Sequence, residues 1–341
     1  MGLNLSRIIR FGMLVAFLGL IAAAPAAAQD STPIPYTPPE GELSGSVTSD
    51  GSSTVGPLTQ AVAEEFGSVA SDVQVSVDTS GTGGGFERFC AGEIDVSNAS
   101  RPIEEDERGI CAEAGIDFYE FTVALDGLTV VVNAENDWVD CMTIDQLNQL
   151  WAPDSEVTTW ADLNSEWPEE EIALYGPGTD SGTFDYFTDV VNGEEGASRT
   201  DYEPSEDDNV IVQGVAGDQY ALGYFGLAYY IENQDSLKAL QIDGGSGCVE
   251  PSGETVADGS YAPLSRPLFI YVSAASLERP EAQEFARFYL ANAATLAGDV
   301  GYVGLPGDQS LEVQTKLEGA IGGDVAPDSQ SSGTPEASPP A

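Results

Sequence analysis

Apolar and polar positions along this chain follow two periods. Val73-Gln74-Val75-Ser76-Val77 alternates residue by residue, the pattern of a strand with one face buried. Helical spacing governs 57–66, 144–151, 184–191 and 280–292, and further strand-like runs fall at 95–97, 127–133, 172–175 and 268–272. Strand and helix runs alternate, which predicts an α/β architecture. Residues 29–43, with Pro33, Pro35, Pro38 and Pro39, read as a stiff polar linker. Residues 318–341 read as a disordered Gly/Ser/Pro/Ala tail without an apolar period. The folded part is therefore expected from about residue 43 to 317, with no internal repeat.

The first 28 residues stand apart from that pattern. Arg7 and Arg10 precede an apolar run over 11–22, and Ala26-Ala27-Ala28 supplies the small residues of a cleavage site. This predicts a signal peptide and an exported protein. A retained membrane anchor is the weaker reading, because the run is shorter than the roughly 20 residues a bilayer requires. Without a Cys after the run, a lipoprotein anchor is not expected.

Three glycine- and hydroxyl-rich loops sit where strand pattern gives way to helix pattern: Gly51-Ser52-Ser53-Thr54-Val55-Gly56-Pro57, Ser80-Gly81-Thr82-Gly83-Gly84-Gly85-Phe86 and Gly178-Thr179-Asp180-Ser181-Gly182-Thr183-Phe184. Such turns present backbone N–H groups and hydroxyls at a helix N-terminus, where partial positive charge favours an oxyanion. Ligands of open α/β sheets bind at these junctions, beyond the carboxyl ends of strands.

Charge narrows the choice further. There are 57 acidic against 11 basic residues and no histidine, a formal net charge of −46. The acids are scattered along the chain, a surface pattern suited to high salt. Nucleic-acid binding is not expected, for want of a basic footprint. Cys90, Cys111, Cys141 and Cys248 suggest two disulfides in an oxidising compartment. Of three connectivities, Cys90–Cys111 with Cys141–Cys248 is favoured, since each pair then stays within one proposed domain. The spacings do not suit a metal site, and no cofactor is implied.

Catalysis finds little support. Asp180-Ser181-Gly182 has the form of a nucleophile turn, but the usual base, histidine, is missing. A phosphate-cradling loop of the nucleotide-hydrolase kind needs Lys after its last glycine, and Gly85 is followed by Phe86. An anion site in so acidic a chain needs local dipoles and a desolvated cation. Arg101, in Ser97-Asn98-Ala99-Ser100-Arg101-Pro102, is the best placed; Arg266, before Pro267 and a strand, is a weaker candidate, read first as a structural ion pair.

Taken in order, Gly51-Ser52-Ser53-Thr54, Gly81-Thr82-Gly83-Gly84-Gly85-Phe86, Asn98-Ala99-Ser100-Arg101-Pro102 and Gly178-Thr179-Asp180-Ser181-Gly182-Thr183 resemble the phosphate-binding proteins of ATP-driven (ABC) phosphate importers, from about residue 44 to 306. The resemblance implies a two-lobed periplasmic-binding-protein fold of type II with phosphate in the inter-lobe cleft. Lobe one would comprise 44–126 plus 265–317, and lobe two 127–264. It also implies ligand roles for Ser53, Thr54, Thr82, Ser100, Arg101, Asp180, Ser181, Gly182 and Thr183. Two positions depart from the familiar pattern: Arg101 stands where members carry Asp, and Pro177 where they carry Arg. Asp180 then becomes the candidate acceptor of a phosphate proton; equally, it caps the following helix or orients Arg101. The expected protein is a monomeric, non-enzymatic carrier that hands phosphate to a membrane-embedded ABC permease. Another oxyanion such as sulfate, or a phosphate-ester hydrolase or adhesion protein on the same fold, are the alternatives.

Overall fold

The computed structural model describes residues 32–330 apart from Asp180. The expected leader and the tail beyond residue 330 lie outside the described residues. The chain runs β1 (Ser44–Gly51), α1 (Gly56–Val69), β2 (Asp72–Val77), α2 (Gly81–Cys90), β3 (Val96–Ala99), α3 (Glu105–Ala114) and the long strand β4 (Phe118–Asn133). There follow β5 (Cys141–Thr143), α4 (Ile144–Trp151), α5 (Trp160–Leu163), β6 (Ala173–Pro177), α6 (Gly182–Asn192), β7 (Glu203–Ser205), α7 (Asp208–Gly217), β8 (Ala221–Gly226) and α8 (Leu227–Asn233). The last part comprises β9 (Leu237–Ala239), β10 (Gln241–Asp243), β11 (Cys248–Val249), α9 (Gly253–Ala257), β12 (Ser265–Ser273), α10 (Pro280–Asp299) and α11 (Gly307–Gly322). The α/β expectation holds, and each of the runs read as strand or helix lies within or overlaps an element of that kind.

Among the described residues the main sheet has the order β2-β1-β3-β12-β4-β8-β6-β7, with β9 also pairing to β4. β1 is parallel to β2 and β3, whereas β12 runs antiparallel to both β3 and β4. The sheet is two half-sheets sharing β4. Up to Gly127 that strand faces β12, and from Leu128 it faces β8. Its second half is buried on both faces: Leu128, Val130 and Val132 enter a core with Trp151, Phe187 and Tyr224, while Val131 enters one with Ile211 and Phe225. On the other half, α1 and α10 cover β1 through Val47, Leu58, Phe66, Phe285 and Tyr289.

Both disulfides form as favoured from the sequence. Cys90–Cys111 ties α2 to α3, and Cys141–Cys248 closes the small sheet β11-β10-β5.

The ends of the folded part differ from expectation. Residues 32–43 are docked: Ile34 N–H donates to Gln314 Oε1 at 2.8 Å, Gln314 Nε2 returns a bond to Ile34 O at 3.0 Å, and the Tyr36 ring stands edge-on to Phe288. At the other end, α11 continues through Gly322 and stops at Gly323, whose φ of 76° suits glycine. Leu317 and Ala320 are buried there, and the segment beyond returns so that Asp328 accepts from Glu120 N–H and pairs with Lys316. The tail reading from 318 is corrected on this point. Glycines at 319, 322 and 323 gave the segment a loop-like composition, yet its sparse apolar residues meet β4.

Candidate functional site

The three loops converge. A cleft of about 300 Å³ is lined by Ser52, Ser53 and Thr54 from the first, Ser80 to Gly84 from the second, Ser100 and Arg101 after β3, and Gly182, Asp185 and Tyr186 from α6, with Arg266 from β12.

Local chemistry shapes each wall. At Gly51 the backbone has φ +134°, and a Cβ would fall 2.2 Å from Asn98 O, so only glycine fits. Ser52 Oγ accepts from the N–H groups of Thr54 and Val55, which fixes the turn and leaves Ser53 exposed to the cleft. The carboxylate of Asp50, fully buried, links this turn to the next: it accepts from Gly51 N–H at 2.7 Å, from Ser80 N–H at 2.9 Å and from Arg88. Burial pushes that carboxyl up, but the bonds from Arg88, Gly51 and Ser80 outweigh it and hold Asp50 below its ordinary value. Thr82 Oγ1 and Ser100 Oγ lie 3.1 Å apart and fasten the second loop to the end of β3.

On the opposite wall, Ser181 Oγ accepts from Thr183 N–H at 3.2 Å and caps α6. Gly182 lines the cleft; Ser181 and Thr183 are not among its described lining residues, and Asp180 lies outside the described residues. Gly182 packs so tightly on the first loop that a Cβ there would sit 2.3 Å from Thr54 Oγ1.

Two guanidiniums reach the cleft. Arg101 is held by both oxygens of Glu107 at 2.8 Å, a pairing that raises its pKa further above the usual value. Arg266, the weaker candidate in the sequence, is the more central. Its Nη2 donates to Thr54 Oγ1 at 3.2 Å and to Gly182 O at 3.5 Å, and its Nε to Asp126 Oδ2 at 3.2 Å. The face of the guanidinium lies 3.8 Å from the centre of the Tyr186 ring. It is thus an ion pair, as read, and also the residue that touches both walls. Its neighbours Ser265 and Pro267 gave no hint of this, since Asp126 lies 140 residues away and meets it only through the β4–β12 pairing.

Asp185, Asp189 and Glu195 also line the cleft. Burial, then Glu195, raises the Asp185 carboxyl, with Arg266 opposing. Behind Arg266, burial raises Asp126 despite the guanidinium beside it. A second hollow of about 400 Å³ lies beside Gly178 and Arg199, but that arginine is engaged by Asp201 and by the carbonyls of Leu150 and Val157. The cation and the donors able to meet an anion therefore lie in the first cleft.

Residues 36–293 match the model of the PBP superfamily domain. Protein SphX of Synechocystis is 47% identical over 268 residues, covering 78% of this chain and 80% of that protein. The phosphate-binding protein PstS of Staphylococcus saprophyticus is 43% identical over 290 residues, covering 84% and 89%. A crystal structure described as a possible phosphate binding protein from Planctomyces limnophilus is 50% identical, superposes with a TM-score of 0.78 and covers 82% of this chain and 99% of that one. An ABC-type phosphate transport receptor from Vibrio cholerae, at 22% identity and a TM-score of 0.61, shares the fold.

Proposed function

This chain belongs to the PBP superfamily, the two-lobed substrate-binding proteins, and from that premise we propose that it captures inorganic phosphate outside the cell and delivers it to an ABC-type permease. The observation that carries the reading is the convergence of two N–H- and hydroxyl-rich loops, the start of α6 at Gly182 and two arginines on one cleft, in a chain whose net charge is −46. Distant charge is screened in salt, whereas short hydrogen bonds and a helix N-terminus act at contact range, so local donors overcome the repulsive surface. We take lobe one as 44–126 plus 265–317, continued by α11 to Gly322, and lobe two as 127–264. The change of partner along β4 at Gly127/Leu128 supports that division.

The proposed ligand set is Ser53, Thr54, Thr82, Ser100, Arg101, Ser181, Gly182 and Thr183, with Arg266 added. Asp180 is the proposed acceptor of the phosphate proton. The protein binds and releases; it is not an enzyme. We take it to act as a monomer, without nucleic acid, and to be exported by its leader. No described helix is long and apolar enough to cross a membrane.

Calorimetric titration of the chain without its first 28 residues, in molar salt and stripped of bound anion, tests this. Micromolar or tighter phosphate binding without sulfate heat is the expected result. Equal binding of both anions would replace phosphate by a general oxyanion, and binding of neither would overturn the reading.

A further inference from the structure

Arg266 and Asp126 stand opposite one another in the antiparallel pairing of β12 with β4. The pair therefore sits on the two strands that carry the chain between the half-sheets. Its members are unequally exposed: the Asp126 side chain is 3% exposed, the Arg266 side chain 17%, and Arg266 alone lines the cleft. Tyr186 covers one face of the guanidinium and donates its own hydroxyl to Pro263 O at 2.6 Å, which fixes the ring. Nε is taken by Asp126 and Nη2 by Thr54 and Gly182. Among the described residues Nη1 has no hydrogen-bond partner. Nη1 is thus the guanidinium nitrogen left for an anion, in a cleft whose other donors are hydroxyls, N–H groups and Arg101.

We propose that Arg266 is a direct ligand of the bound oxyanion, and that Asp126 attenuates it, holding the affinity below what the guanidinium alone would give. The proposal rests on the phosphate reading. A buried carboxylate one guanidinium away from the anion opposes it through a medium of low dielectric, where repulsion persists over several ångströms. A carrier that must give up its cargo gains from such a brake. Asp126 acts through Arg266 and is a positioning and charge-setting residue; it does not touch the anion.

The two roles predict opposite signs. In Asp126→Asn the amide oxygen still accepts from Nε while the negative charge is gone, so phosphate should bind tighter, by about tenfold. Arg266→Met alone would strand a buried charge and risk unfolding, so the partner variant is Arg266→Met/Asp126→Asn, which removes both charges. That variant should bind phosphate about a hundredfold more weakly than Asp126→Asn, with a melting midpoint, phosphate absent, close to that of Asp126→Asn. All are titrated with inorganic phosphate beside the unaltered chain. If Asp126→Asn binds more weakly than the unaltered chain, the pair is structural and the brake is wrong. If the double variant matches Asp126→Asn, Arg266 is not a ligand. If the unaltered chain binds no phosphate, the phosphate reading falls first and takes this inference with it.

Discussion

The buried carboxylate of Asp50 and the backbone N–H of Ser80 are joined by a hydrogen bond of 2.9 Å across thirty residues of sequence, and the same carboxylate holds Gly51 and Arg88. One side chain thereby sets the spacing of two of the anion-facing loops.

Replacing Asp50 by Ala should remove the shared acceptor of the Gly51 and Ser80 N–H groups and leave Arg88 with only Asp78 and Glu93, at a cost of about 2 kcal/mol in stability. Phosphate affinity should fall as well, because the loops lose their common brace. The pH sign follows from a carboxyl held below its ordinary value: its contribution is fully present above the ordinary carboxylate range and is lost as pH falls through it. Urea unfolding at pH 7 and pH 3 measures this. The gap between the original and Asp50→Ala should narrow at the lower pH; an unchanged gap would mean the carboxylate's charge is not what stabilises.

Gly182→Ala tests how closely the walls must meet. The added methyl would fall 2.3 Å from Thr54 Oγ1, so α6 and the first loop must part. Phosphate affinity should drop at least tenfold while the melting midpoint without phosphate shifts little, since Gly182 opens a helix rather than filling a core. Small-angle scattering with saturating phosphate should show a larger radius of gyration than the unaltered protein; an equal radius and equal affinity would contradict the close approach.

Arg101 and Arg266 can be ranked directly. Glu107 already engages both terminal nitrogens of Arg101 at 2.8 Å, so that part of its charge is neutralised before an anion arrives. Arg101→Ala should weaken phosphate binding about tenfold, roughly 1.4 kcal/mol, and less than the loss of Arg266 on the Asp126→Asn background. The sequence favoured the opposite order. A larger effect at Arg101 would restore it.

Asp208, at the first position of α7, has its pKa pushed up to about 6, by burial first and then by Asp207 and Glu206. A raised carboxyl favours the protonated folded form, so its contribution to stability falls as pH rises from about 4 through 6. Asp208→Asn should therefore raise the melting midpoint at pH 8 and leave it nearly unchanged at pH 4. Equal shifts at both values would remove burial of the charge as the cause.

What the sequence made legible is local. Glycine and hydroxyl residues at three helix starts announce anion-facing turns because the donors and the conformational freedom both reside in the loop itself. The elements around 144–151 and 280–292 were equally readable from their spacing. Arg266 was not, because its value comes from lying opposite Asp126 in a strand pairing that no neighbouring residue encodes. Nor was the docking of Ile34 and Tyr36, whose partners Gln314, Phe288 and Glu284 come from helices far along the chain. Ser181 shows the reverse case. Its hydroxyl chemistry was recognised, but in the fold that hydroxyl accepts from Thr183 N–H and caps α6, and of this turn Gly182 is the described residue that lines the cleft.

The alternation of β4 has an evolutionary consequence. Beyond Gly127 its even-numbered residues Leu128, Val130 and Val132 serve one core and Val131 another, while its first half is registered against β12. Inserting a single residue just beyond Gly127, without a bulge such as the one that already sets Val123 outside the β12 register, would exchange every downstream side chain between the two cores. The second half of this strand is therefore locked to one reading frame of pleats, and changes in chain length during descent should collect in the loops and almost never beyond Gly127 in this strand.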